Sequence, residues 1–96
     1  MILTGKAKDN FLDSNGKKEA WINIMLPIYQ YALIIEWFDS VGIYINVFYK
    51  YIWRVEIRDS QSSLLSTLDY AVFDTRQEAT KQAIIKANDI YNERFK

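Results

Sequence analysis

The chain has 96 residues, with twelve basic and twelve acidic side chains, half its residues apolar and 16% aromatic. A chain this short buries only about 60 to 65% of its unfolded surface, so the apolar richness reads as one well-filled domain over residues 1–96 and excludes disorder. Zero net charge gives no global field toward nucleic acid or an anionic membrane. The absence of both Cys and His excludes disulfides, thiolate nucleophiles, Ser-His-Asp and Cys-His catalysis and nearly all zinc chemistry.

Thr4 is placed to cap a first helix over Lys6 to Asp13, with Ala7 and Phe11 one turn apart and a stop at Ser14-Asn15-Gly16. From Lys17 to Leu26, the residues Trp21, Ile22, Ile24 and Met25 fit neither period, which leaves a helical turn or an extended link open. Pro27 marks the first turn of a second helix from Pro27 to Ser40, closed by Gly42. Its expected main face is Ile28, Tyr31, Ala32, Ile35, Phe38 and Val41, while Tyr29, Leu33 and Trp37 recur every four residues on another line. The sheet and the first helix can cover both surfaces between them, or a partner covers the second.

Alternation from Ile43 to Arg58 places Ile43, Ile45, Val47, Tyr49, Tyr51, Trp53, Val55 and Ile57 on one face. One strand of that length far exceeds the usual 5 to 6 residues or so, which predicts a hairpin near Tyr49-Lys50-Tyr51. An odd number of loop residues keeps Val47 and Trp53 on the same face, and the lack of Gly or Asn argues against a tight turn. Asp59 to Ser63 reads as a polar loop, and Leu64 to Phe73 as a third strand with Leu68 to Phe73 its best stretch. Thr75-Arg76-Gln77-Glu78 is a capping box: Thr75 takes the Glu78 N–H, and the Glu78 carboxylate is expected to reach back to the Thr75 N–H. It opens a helix running almost to the C-terminus, with Ala79, Ala83, Ala87 and Ile90 as a small-residue stripe. The predicted class is α+β, a three-stranded antiparallel meander packed on one face by helices in the order α-α-β-β-β-α. With no signal-peptide pattern and no run near the roughly 20 apolar residues of a bilayer span, the expectation is a soluble cytoplasmic protein without a membrane partner.

Leu26-Pro27, the run from Glu36 to Ile45, the segment Asp74-Thr75-Arg76-Gln77-Glu78-Ala79, and then Ala83-Ile84 and Lys86-Ala87-Asn88 carry a resemblance. Together they look like a family of small uncharacterised proteins encoded in bacteriophages and prophages, over about two thirds of the chain. The resemblance implies a small intracellular phage-type protein and hands over no catalytic residue or cofactor. From Pro27 onward, the order helix, three strands, helix also resembles the double-stranded-RNA-binding domain. That likeness is one of order: the family opens its last helix with a lysine cluster, where this chain has Arg76 and Lys81 with Glu78 between them.

Three constellations are candidates for function. Tyr29, Leu33 and Trp37, with Trp21 and Met25, form the leading one, a surface for a protein partner or a second copy of the chain, because Trp and Tyr dominate interface hot spots. The even positions of the hairpin interleave Tyr44, Phe48, Lys50, Arg54 and Arg58, a pattern for single-stranded nucleic acid; the zero net charge weighs toward an ordinary solvated face. Glu36 and Asp39, with Glu56 or Asp69, are the weakest, a cation site with neither His nor a dedicated loop. The sequence therefore reads as a non-enzymatic binding protein without cofactor or metal, acting through protein–protein contact, with a nucleic-acid-binding module as the alternative.

Overall fold

The computed structural model describes residues 1–16, 18–68 and 73–95. Along them run α1 (Gly5–Asn15), α2 (Glu19–Asn23), α3 (Pro27–Ser40), β1 (Ile43–Lys50), β2 (Ile52–Asp59), β3 (Leu64–Thr67) and α4 (Arg76–Arg94). The fold is α+β, with an antiparallel sheet in the order β1-β2-β3. Helices α3 and α4 lie on the sheet, and α1 lies on α3 and α4. The predicted element order holds, with the short α2 inserted where the sequence period was ambiguous.

The hairpin follows from parity. Tyr49 pairs with Trp53 and Lys50 with Ile52 around the single residue Tyr51, so the odd positions of both strands face the helices. Ile43, Val55 and Ile57 are fully buried there, and Ile45, Val47 and Trp53 pack against the same core. The turn is tight despite having neither Gly nor Asn, and the strain falls on one residue: Tyr51 takes φ 68° and stands in solvent. A bulky side chain in the left-handed region costs about 1–2 kcal/mol, partly offset against glycine by the latter's greater chain entropy. Tyr51→Gly should therefore stabilise the fold by about 0.5–1 kcal/mol in urea denaturation; a less stable variant would show that the ring makes contacts outweighing the strain.

The third strand is shorter than predicted. Leu68 still donates its N–H to the Val55 carbonyl at 3.3 Å, but residues 69–72, most of its expected best stretch, lie outside the described residues. Ser66 pairs with Ile57 and Leu64 with Arg58, which makes Leu65 an extra, bulged residue that packs against the core. Asp59 fixes the turn before it, its Oδ1 accepting the N–H groups of Gln61 and Ser63, each at 2.9 Å.

Helix ends show which local signals act. Pro27 starts α3 as expected, and the Glu78 N–H donates to Thr75 Oγ1 at 3.1 Å. The other half of the capping box gives way to a contact one turn on, where the Glu78 carboxylate takes Gln82 Nε2 at 3.3 Å. Thr4 makes no side-chain cap on α1; α4 supplies the partners instead. Asn88 Oδ1 accepts the Thr4 N–H at 2.9 Å, while Asn88 Nδ2 donates to Thr4 Oγ1 at 3.0 Å. One turn further, Asn92 Oδ1 accepts the Ala7 N–H at 2.8 Å and Asn92 Nδ2 donates to the Thr4 carbonyl at 3.0 Å. A helix N-terminus that lacks a local cap is thus satisfied from the far end of the sequence. Gly5 is required by this clasp, since its φ is +60° and a Cβ would meet Asn92 Nδ2 at 3.1 Å.

The faces of α3 differ from the predicted ones. Ile34, Trp37 and Phe38 are its buried residues, Ile28 and Ala32 are exposed, and Tyr31, Ile35 and Val41 are half-buried. The cause is that α3 is gripped from two directions, by the sheet with α4 and by α1, so a single amphipathic stripe does not describe it. All its buried residues sit in its C-terminal half, which leaves the first turns open.

Candidate interaction surfaces

Trp37 belongs to the core. Only 4% exposed, its ring meets Phe11 of α1 edge-on at 6.0 Å, Tyr91 of α4 at 5.0 Å and Phe38 at 4.9 Å. The predicted interaction line therefore breaks up: Trp37 is buried and Leu33 is half-buried against the core, whereas Trp21 and Tyr29 are exposed. Periodicity placed Tyr29, Leu33 and Trp37 together because they share a helix line, but the neighbours of that line change from solvent to α1 and α4 along its length.

Around the two exposed members the structure gathers others that the sequence did not single out. Trp21 is 65% and Ile24 78% exposed, and Leu26, Ile28 and Tyr29 are each above 60%. Of the residues in α2, Ile22 alone is fully buried, which turns its neighbour Trp21 outward. The link from α2 to α3 is held by its own backbone: the Met25 N–H donates to the Ile22 carbonyl, and the Tyr29 and Gln30 N–H groups converge on the Leu26 carbonyl. Gln30 Nε2 adds a bond to the Met25 carbonyl at 2.9 Å. The Lys8 ammonium meets Glu19 Oε2 at 2.9 Å, tying α1 to α2, and that hydrogen bond holds the Glu19 carboxyl below its ordinary range. Beside this apolar corner lies a groove of about 330 Å³ lined by Ile28, Tyr31, Ala32 and Ile35 of α3 and by Arg76, Gln77 and Thr80 of α4. Desolvation, and then the Glu78 charge, push the Tyr31 hydroxyl up from its usual value.

The nucleic-acid candidates do come together. Tyr44 faces Arg58, Asn46 faces Glu56, Phe48 faces Arg54 and Lys50 faces Ile52, all on the sheet side away from the core. Arg58 Nη1 donates to the Ser62 carbonyl at 2.9 Å, and its Nη2 lies 3.4 Å from Glu56 Oε2. Arg54 Nε donates to the Lys50 carbonyl at 3.1 Å. Leu64 and Thr67 extend this face onto β3, opposite Arg58 and Glu56.

Glu36 and Asp39 stand exposed on α3, and the Asp39 carboxyl is raised by desolvation and by the Glu36 charge. Glu56 lies on the opposite side of the sheet beside Arg58, and Asp69 falls outside the described residues. No group of three His, Cys, Asp or Glu suited to a metal ion occurs among the described residues. Nor is any described helix long and apolar enough to cross a membrane. Comparison with protein-family models, curated proteins and solved structures gives no match for this chain.

Proposed function

We propose that this chain is a small non-enzymatic binding protein of phage or prophage type, working in the cytoplasm through protein–protein contact. The observation that carries the reading is the apolar corner of Trp21, Ile24, Leu26, Ile28 and Tyr29, each more than 60% exposed and presented on a hydrogen-bonded link. Side chains of this size expose on the order of several hundred Å² together, a patch that seldom stays bare on a monomer. That area approaches the roughly 800 Å² which each partner gives to a standard interface.

A second copy of the chain is the occupant that the geometry favours. The exposed corner and the groove share Ile28, so an apolar patch and a recess adjoin, as a self-complementary two-fold interface uses. The phage-type assignment rests on the resemblance of the segments from Leu26 to Asn88, and the same resemblance supports a host defence or regulatory protein as the target that the dimer meets. Trp21→Ser combined with Ile24→Ser tests the corner by sedimentation. The parent should sediment as a dimer and the double variant as a monomer, with stability changed by no more than about 0.5 kcal/mol per site because both side chains are exposed. A double variant that dimerises like the parent contradicts the assignment.

A further inference from the structure

The outer face of the sheet is independent of the corner. It carries Lys50, Arg54 and Arg58 against the single carboxylate Glu56 among its described residues, so the other residues of this neutral chain hold nine basic and eleven acidic side chains. No described helix packs on this side; α3 and α4 occupy the other. We infer that this face binds single-stranded nucleic acid, with Tyr44 and Phe48 stacking on bases and Lys50, Arg54 and Arg58 facing the phosphates.

Charge decides against the alternative of a second copy. Among the described residues, two such faces brought together would set six cations against two carboxylates, a repulsive pairing in a water-poor interface. A polyanion has the complementary sign, and the rings narrow it to one with accessible bases. Tyr44 and Phe48 lie on the same strand four residues apart, roughly 13 Å along it, several times the ~3.4 Å stacking rise of a duplex. They match splayed bases, which only an unpaired strand offers. The rung arrangement supports this: each ring has an arginine directly across the ladder, Arg58 opposite Tyr44 and Arg54 opposite Phe48, which places a cation beside each stacking position.

The test is fluorescence anisotropy of a labelled oligothymidylate of about twelve nucleotides, titrated with the full chain freed of nucleic acid at several salt concentrations. Binding should weaken on a log-log plot with a slope of about −2, as three phosphate contacts to a single strand require. Phe48→Ala should weaken it about tenfold through the lost stacking, and Lys50→Glu with Arg54→Glu should lower both affinity and slope. Phe48→Leu keeps the apolar volume and gives the same reading if alanine disturbs the sheet; circular dichroism shows which variants remain folded. Each of four results overturns the inference: no binding by the parent, affinity unchanged in the folded variants, a duplex bound as tightly as the single strand, or heparin competing as well as the oligonucleotide, which would reduce the face to a charge patch.

Discussion

Trp37→Ala should destabilise the fold by about 3–5 kcal/mol, the range for truncating a fully packed aromatic. A domain of this length holds only about 5–14 kcal/mol in total, so the variant should be marginal or unfolded at room temperature. The size of the effect follows from position: Trp37 sits where α1, α3 and α4 converge, with Phe11, Phe38 and Tyr91 around its ring. Alanine would leave a cavity bounded by three helices that cannot all close on it. Urea denaturation measures the loss, with Trp21→Ala as the control. Trp21 is 65% exposed, so its substitution should stay within about 0.5 kcal/mol. Equal effects at the two tryptophans would contradict the division between core and corner.

Asn88→Ala should cost about 1–3 kcal/mol, because it removes two hydrogen bonds worth about 0.5–1.5 kcal/mol each. Asn88 is the buried polar side chain of the described core, and it meets both the amide and the hydroxyl of Thr4. Removing it takes a partner from both groups, and because Thr4 is exposed, water replaces part of what is lost and the cost stays near that of the two bonds. Hydrogen exchange gives the signature that a mere packing loss would not: the Thr4 and Ala7 amides should lose protection together. Their partners Asn88 and Asn92 lie one turn apart and clasp the same helix start. For that reason Asn88→Ala and Asn92→Ala should be non-additive in a double-mutant cycle. Unchanged protection of both amides would show that α1 is held by its apolar face alone.

The parts of this fold that were legible in the sequence are those set by local chemistry. Pro27 at the first turn fixed the start of α3, the Thr75 hydroxyl fixed that of α4, and alternation with a parity constraint placed Ile43 to Ile57 on the correct sides of a hairpin. Even there, competition between local partners intervened, since Glu78 turned to Gln82 rather than back to Thr75. What the sequence hid depends on partners far along the chain. The bonds from Asn88 to Thr4 join positions 84 residues apart, and nothing in either neighbourhood announces them. The expected interaction line failed for a related reason: Tyr29 and Trp37 lie on one line of every fourth residue, which drifts about 80° around the helix between them, and one faces solvent while the other faces α1 and α4. The sheet candidates, by contrast, did assemble on one face, because a strand's period of two assigns sides without reference to distant contacts.

A dimer closed through the corner would leave the outer sheet face of each copy open, so protein contact and nucleic-acid binding are separable by mutation. Variants at Trp21 and Ile24 should change mass without changing the salt slope for an oligonucleotide, and variants at Phe48 and Arg54 the reverse. The most direct measurement is the solution mass of the parent chain by light scattering across a wide dilution series, at low and high salt. An apolar interface predicts twice the 11.4 kDa chain mass, indifferent to salt and falling toward the monomer only on dilution. A monomer at every concentration would contradict self-association through Trp21, Ile24, Leu26, Ile28 and Tyr29.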